Sequence, residues 1–128
     1  MNNDFNEFLN GYIDALLWSS VVLLDRYVDE IVNADQFELS EEAKVKCESD
    51  CRKFFDNNTD ALSDVTVRNK SYQYGYSDAG HDFALTRNDH GAGFWEHTGE
   101  SWDNLFYSSK DFGETDLFVN EDNQLDFA

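Results

Sequence analysis

The 128-residue chain lacks proline, basic segments and long apolar runs. Without proline, its turns depend on Gly, Asn, Asp or Ser. The apolar run VVLL at 21–24 is far too short to span a membrane. The beginning, MNNDFNEF, has no basic segment of the kind that opens a secretory signal. These absences predict a cytoplasmic protein with no membrane contact.

Cysteine is also scarce. Cys47 and Cys51 lie four residues apart in a stretch with helical periodicity, so both thiols should share one helix face. This spacing differs from the CxxC pairs of zinc ribbons and thioredoxin-like sites. We expect two buried thiols without a disulfide.

Basic residues are greatly outnumbered. There are 27 acidic and 9 basic residues, a formal net charge of −18, and neither half of the chain holds most of the excess. Such a charge opposes direct binding to a nucleic-acid backbone and favours a basic protein partner. If the fold gathers the acidic residues on one side, they could imitate the phosphates of a duplex.

Apolar residues make up 41% and aromatic residues 16% of the chain, which indicates one folded domain over 1–128. Helical periodicity is evident from Asp4 to about residue 20 and again after Ser40, a predicted N-cap. The stretch 21–39 is ambiguous between a short helix and an irregular connection. The predicted fold class is α+β, with N-terminal helices packed on a small antiparallel sheet. Its parts are a hairpin 81–95, strands 115–119 and 124–127, and one helix 101–112 between strands.

The stretch AGHDFALTRNDHGAGFWEHTG at 79–99 concentrates groups suited to chemistry. It contains all three histidines of the chain, with four glycines, one arginine and three acidic residues. Alternation from His81 to Arg87, with NDHG as a turn, predicts the hairpin.

The same block carries a resemblance. AGHDFALTRNDHGAGFW at 79–95 resembles the signature AGHDF-x-LTRN-x-HGAGFW of small acidic proteins encoded by bacteriophages and mobile elements. The resemblance extends to ALLWSS at 15–20, DCRKFF at 50–55 and FGETDLFVNEDNQL at 112–125. Ala84 departs from the tryptophan usual at that position, and Glu96 and His97 depart from the usual acidic–basic pair. The resemblance implies a phage-type context, hence the cytoplasm of a host cell, and no particular mechanism.

Two chemical interpretations of the block stay open as alternatives. A small enzyme could use His81, Asp82, Arg87 and His90 for acid–base or metal-assisted chemistry. A metal site could draw on His81, Asp82, His90 and His97. Neither spacing matches an established motif, and adjacent residues of a strand point to opposite faces. We therefore expect neither catalysis, a bound metal nor a cofactor.

The interpretation we favour makes the block architectural, with its arginine and histidines held by carboxylates and backbone carbonyls. Function then belongs to the acidic surface. We expect an inhibitor that imitates DNA and binds a basic, DNA-binding host protein of restriction, CRISPR defence, repair or transcription. The sequence leaves open whether the chain forms a homodimer. The alternative to imitation of DNA is that the acidic surface only keeps the protein soluble or adapts it to a saline environment. The residues predicted for the acidic face are Asp25, Asp29, Glu30, Asp35, Glu38, Glu41, Glu42, Glu48 and Asp56.

Overall fold

A computed structural model describes residues 3–25, 28–68 and 73–128, with the backbone alone for 24, 25, 28, 29 and 68. Within these ranges the helices are α1 (Asn3–Ser19), α2 (Glu41–Asn57), α3 (Thr59–Ser63), α4 (Tyr76–Arg87) and α5 (Glu100–Asp111). The strands are β1 (Val21–Asp25), β2 (Val28–Asn33), β3 (Leu117–Val119) and β4 (Leu125–Phe127). The chain is therefore an α+β protein, as its sequence predicts. No helix in the described ranges combines the length and apolar character needed to cross a membrane.

Helices α1 and α4 pack backbone against backbone. A Cβ atom added to Gly11 would overlap the carbonyl oxygen of Ser77, and one added to Gly80 would overlap that of Phe8. Glycine is the residue that permits such an approach, because it has no side chain to keep the helices apart. The two helices thus form the tightest contact of the fold.

Aromatic rings fill the space between these helices and α2. Phe54 of α2 stacks on Phe83 of α4 with ring centroids 4.1 Å apart. Phe8, Phe94 and Phe112 lie within 6.0 Å of Phe54, again between centroids. Contacts of this kind add to the free energy gained by burying the rings.

The strands form two antiparallel hairpins, β1–β2 and β3–β4. In the first, Leu23 lies opposite Ile31. In the second, β4 also forms a parallel bridge with Leu39, just before α2, so the C-terminal hairpin is attached to the start of that helix. β1 lies beside β3, which brings the two hairpins together.

Several predicted elements are confirmed. Helix 101–112 corresponds to α5, and strands 115–119 and 124–127 correspond to β3 and β4. Ser40 caps α2, because its Oγ accepts a hydrogen bond from the amide of Ala43 at 3.1 Å. Cys47 and Cys51 are buried free thiols on the inner face of α2.

The prediction of a β-hairpin over 81–95 is wrong. Residues 76–87 form α4, and residues 94–96 form a single 3₁₀ turn. Most of α4 is buried, including all of 83–87, so it shows no amphipathic period to mark it as a helix. In the sequence Gly80 resembles a turn residue, but in the structure it lies within α4 and allows close contact with α1. The ambiguous stretch 21–39 contains the β1–β2 hairpin, which neither interpretation had included.

Candidate functional site

Arg87 ends α4 inside the core, where it is 2% exposed. Its Nη1 donates to Asp50 Oδ2 at 2.8 Å and to the Tyr12 hydroxyl at 3.1 Å. Its Nε and Nη2 donate to the carbonyl oxygens of Gly113 and Phe112 at 2.9 and 3.1 Å. Each nitrogen of the guanidinium is thus used to join α4 to α1, to α2 and to the segment after α5. Arg87 has the architectural role that the sequence favoured.

Asp50 is the counter-charge of this arginine. Lys46 donates to the same Oδ2 atom at 3.1 Å. Burial opposes ionisation of Asp50, but the hydrogen bonds from Arg87 and Lys46 outweigh it and hold the pKa of the carboxyl below its usual range. Arg87 and Asp50 thus balance each other's charge in the core, and Lys46 contacts the same carboxylate from the exposed side of α2.

Asp82 points to a different neighbourhood. The Tyr74 hydroxyl donates to its Oδ2 at 2.7 Å. Burial raises the pKa of Asp82, against the hydrogen bond from Tyr74 and the nearby His97. The His97 ring stacks on Trp102 with centroids 3.9 Å apart, and Tyr74 meets both rings edge-on. This cluster attaches the segment before α4 to the start of α5.

His81 and His90 both lie against Trp18 at the end of α1. The ring centroids are 6.0 Å apart for His81 and 6.5 Å apart for His90. His90 Nε2 is 2.9 Å from the carbonyl oxygen of Ser19. Because a carbonyl only accepts, this nitrogen carries the proton. The indole of Trp18 remains 59% exposed beside the two imidazoles.

The four residues of the predicted polar cluster therefore contact three separate sets of neighbours. His81 and His90 contact Trp18, Asp82 contacts Tyr74, and Arg87 contacts groups in the core. On a helix, residues 81, 82 and 87 project in different directions, so α4 does not bring these three side chains together. Nowhere in ranges 3–25, 28–68 and 73–128 do three His, Cys, Asp or Glu side chains group closely enough to hold a metal ion.

The buried thiols supply no nucleophile. Burial raises the pKa of Cys47 to about 12 and also raises the pKa of Cys51. Both side chains stay protonated at neutral pH, and the thiolate is the reactive form of cysteine. Cys47 and Cys51 belong to the core of the fold.

A shallow cavity of about 180 Å³ lies between the end of α4 and α5. An ion pair crosses its rim, with Lys110 Nζ 3.3 Å from Asp89 Oδ1. Of the predicted polar cluster, only His90 reaches this cavity. Its lining residues are Leu85, Thr86, Asp89, His90, Gly91, Ala92, Trp95, Phe106 and Lys110.

Seven residues of the predicted acidic face are exposed, and the side chains of Asp25 and Asp29 lie outside the described part. The exposed ones are Glu30, Asp35, Glu38, Glu41, Glu42, Glu48 and Asp56. Their surroundings are unequal, because α2 also carries basic residues. Glu41 pairs with Lys44 at 3.3 Å, and Asp56 pairs with Arg52 at 3.8 Å. The outer surface of α2 is therefore less anionic than the acidic residues alone suggest.

A second acidic surface was missed from the sequence. Glu100, Asp103 and Asp111 are exposed along the outer side of α5, around the ring of Tyr107, which is 68% exposed. None of these three carboxylates forms an ion pair within the described residues. We call Glu100, Asp103, Tyr107 and Asp111 the anionic face of α5. The signal was present: from residue 88 to the end, Lys110 stands alone against ten acidic residues.

Comparison with protein-family models, curated proteins and solved structures finds no match for this chain. The phage-type resemblance of the 79–95 block therefore stays a prediction.

Proposed function

We propose that this chain is a binding protein which inhibits a basic partner by occupying the groove where that partner binds nucleic acid. In line with the resemblance of the 79–95 block, the partner is a host protein of DNA handling or defence, such as a restriction, CRISPR, repair or transcription protein. The contact surface includes the anionic face of α5. No catalytic step, metal or cofactor enters the proposal.

The observation that carries this proposal is the uneven placement of the cations. Four of the nine basic residues lie on α2, where acidic neighbours pair with three of them in i, i+3 or i, i+4 contacts. Arg87 is buried, and Lys110 pairs with Asp89. The side chains of Arg26, Arg68 and Lys70 lie outside the described part. Among the basic side chains that are described, none forms an ion pair with the exposed carboxylates of α5 or of the segment after it. Such a surface attracts Lys and Arg side chains of a partner over several ångströms.

The geometry of α5 fits a partial imitation of a phosphate backbone. From Glu100 to Asp111 the helix rises roughly 16 Å, at about 1.5 Å per residue. A DNA strand places a phosphate about every 3.4 Å, so roughly five phosphates would occupy the same length. Three carboxylates on α5 are too few by themselves. The exposed acidic residues of the following segment would complete the surface: Glu114, Asp116, Glu121 and Asp122.

Tyr107 gives this surface an aromatic contact as well as charge. Its ring is among the most exposed large side chains described, and in the helix it stands four residues from both Asp103 and Asp111. Aromatic side chains are frequent anchors at protein interfaces, and their faces also attract Arg. We expect carboxylates to set the association rate and Tyr107 to slow dissociation.

The test is capture of proteins from a bacterial lysate stripped of nucleic acid. The immobilised chain should retain basic DNA-binding proteins at about 50 mM salt and release most of them at about 200 mM. The anionic-face variant Glu100→Gln/Asp103→Asn/Asp111→Asn should lose this retention. The α2 variant Glu41→Gln/Glu48→Gln/Asp56→Asn removes the same number of charges and should keep it. Equal behaviour of the two variants would mean that only overall charge matters, as a solubility role predicts.

A further inference from the structure

The outer face of the β1–β2 hairpin is apolar and uncovered in the described structure. Leu23 and Ile31 are cross-strand partners and are 51% and 64% exposed. Val21, two residues before Leu23 on the same face, is 64% exposed. The opposite face of β1 carries Val22, which is buried in the core at 4% exposure. The hairpin therefore presents apolar side chains on both faces, and only one face has a place in the core.

Trp18 comes just before this hairpin in the chain and is joined to it through its backbone. Asn33, the cross-strand partner of Val21, donates its Nδ2 to the carbonyl oxygen of Trp18 at 2.9 Å. The indole of Trp18 is 59% exposed. We call Trp18, Val21, Leu23 and Ile31 the hairpin patch. Patches of clustered apolar side chains on a monomer commonly mark interaction sites, whereas single exposed ones need no explanation.

The charge around the patch selects its occupant. Asp35 and Glu38, just after β2, are exposed acidic residues, and Glu30 is an exposed acidic residue on the other face of β2. A second copy of this chain would bring like-charged borders together, in a molecule whose net charge is already −18. The anionic headgroups of most biological membranes would be repelled for the same reason. A surface of apolar side chains between Lys and Arg residues would be attracted.

We propose that the hairpin patch docks an amphipathic basic segment of a partner protein, apolar at its centre and lined by Lys or Arg. This inference rests on the proposed function in taking the partner to be a basic protein. It adds a second contact surface that works by apolar burial, so it is expected to be less sensitive to salt than the anionic face of α5.

The experiment uses defined peptides as probes. A helical Leu/Lys peptide is compared with a Ser/Lys peptide of the same lysine spacing and with a Leu/Glu peptide. Each is titrated against the full chain by fluorescence anisotropy. The patch variant is Leu23→Thr/Ile31→Thr, because threonine is polar and has the β-branched shape that strands favour. The control is Val45→Thr/Val67→Thr, which changes two apolar side chains exposed elsewhere at 67% and 54%.

We expect the Leu/Lys peptide to bind the wild type and the Val45/Val67 control equally. Its affinity for the patch variant should fall at least about tenfold, as removal of interface anchors commonly produces. The Ser/Lys peptide should bind weakly and with no difference between variants, and the Leu/Glu peptide should not bind. Circular dichroism of the variants checks that the fold is kept.

Two results would overturn the inference. One is equal affinity of the Leu/Lys peptide for the patch variant and the control. The other is dimerisation of the chain through the patch, seen as a patch-dependent change of mass in sedimentation. The anionic-face variant separates the two proposals. If only the anionic-face variant loses capture, the proposed function holds and the hairpin patch has no part in it. Capture lost by the patch variant alone would contradict the role given to α5.

Discussion

Arg87 at the end of α4 and Asp50 in the middle of α2 form an ion pair of 2.8 Å across the core. The two residues are 37 positions apart in the chain, and the arginine side chain is 2% exposed. Arg87, one of the four residues that the enzyme interpretation would use, therefore joins elements of the core instead.

Replacing Arg87 with Met should destabilise the protein by about 3–5 kcal/mol, because two carbonyl oxygens lose their donor and the mostly buried carboxylate of Asp50 keeps only Lys46. Urea unfolding followed by circular dichroism measures this loss. Lys110→Met breaks the more exposed pair with Asp89 and should cost less than about 1 kcal/mol. A similar cost for the two variants would contradict the structural role of Arg87.

Gly80→Ala should cost about 3 kcal/mol or more, since the new methyl group would overlap the backbone of Phe8 and push α4 away from α1. Gly91→Ala is the matched control, because nothing lies within 4 Å of the position its methyl group would take. Thermal unfolding of both variants gives the comparison. A stable Gly80→Ala protein would mean that the contact between these helices is looser than described.

Asp82→Asn should stabilise the protein increasingly as the pH rises. The pKa of Asp82 is raised in the folded state, chiefly by burial, so its ionisation favours unfolding. The wild type has the full benefit of a protonated Asp82 below about pH 3.9, the usual value in an unfolded chain. It loses that benefit as the pH rises towards the raised folded pKa. The amide oxygen that this substitution introduces can still accept the hydrogen bond from Tyr74.

The check is the free energy of unfolding of both proteins from low to neutral pH. Asp103→Asn, which removes an exposed charge, corrects for the general relief of repulsion in an acidic protein. The difference between Asp82→Asn and the wild type should grow with pH beyond that of the control. A difference that stays constant with pH would show that Asp82 ionises without penalty.

How much of this fold the sequence reveals depends on burial. The helices α1, α2 and α5 each bury one side, so their apolar residues recur with helical spacing and were predicted. Helix α4 is surrounded by α1, α2 and α5 and carries apolar residues on several sides, so its pattern resembled alternation. In β1, apolar residues on both faces removed the alternation that identifies a strand.

The candidate site was also only partly predictable from the sequence. His81, Asp82, Arg87 and His90 are close in sequence, but their contacts are with Trp18, Tyr74, Asp50 and other groups distant in the chain. Local spacing cannot reveal such partners. The exposure of the acidic residues was predicted correctly wherever it is described. Their pairing with Lys44 and Arg52 was not considered, although the i, i+3 and i, i+4 spacing was visible.

Displacement by duplex DNA tests the central claim most directly. Proteins captured on the immobilised wild type, the anionic-face variant and the α2 variant are challenged with increasing amounts of duplex at low salt. If the acidic surface occupies a nucleic-acid groove, duplex should release the captured proteins from the wild type and the α2 variant over the same concentration range. The anionic-face variant should retain less than about a tenth as much protein from the start. Captured proteins that stay bound at saturating duplex, or equal retention by all three chains, would contradict the account.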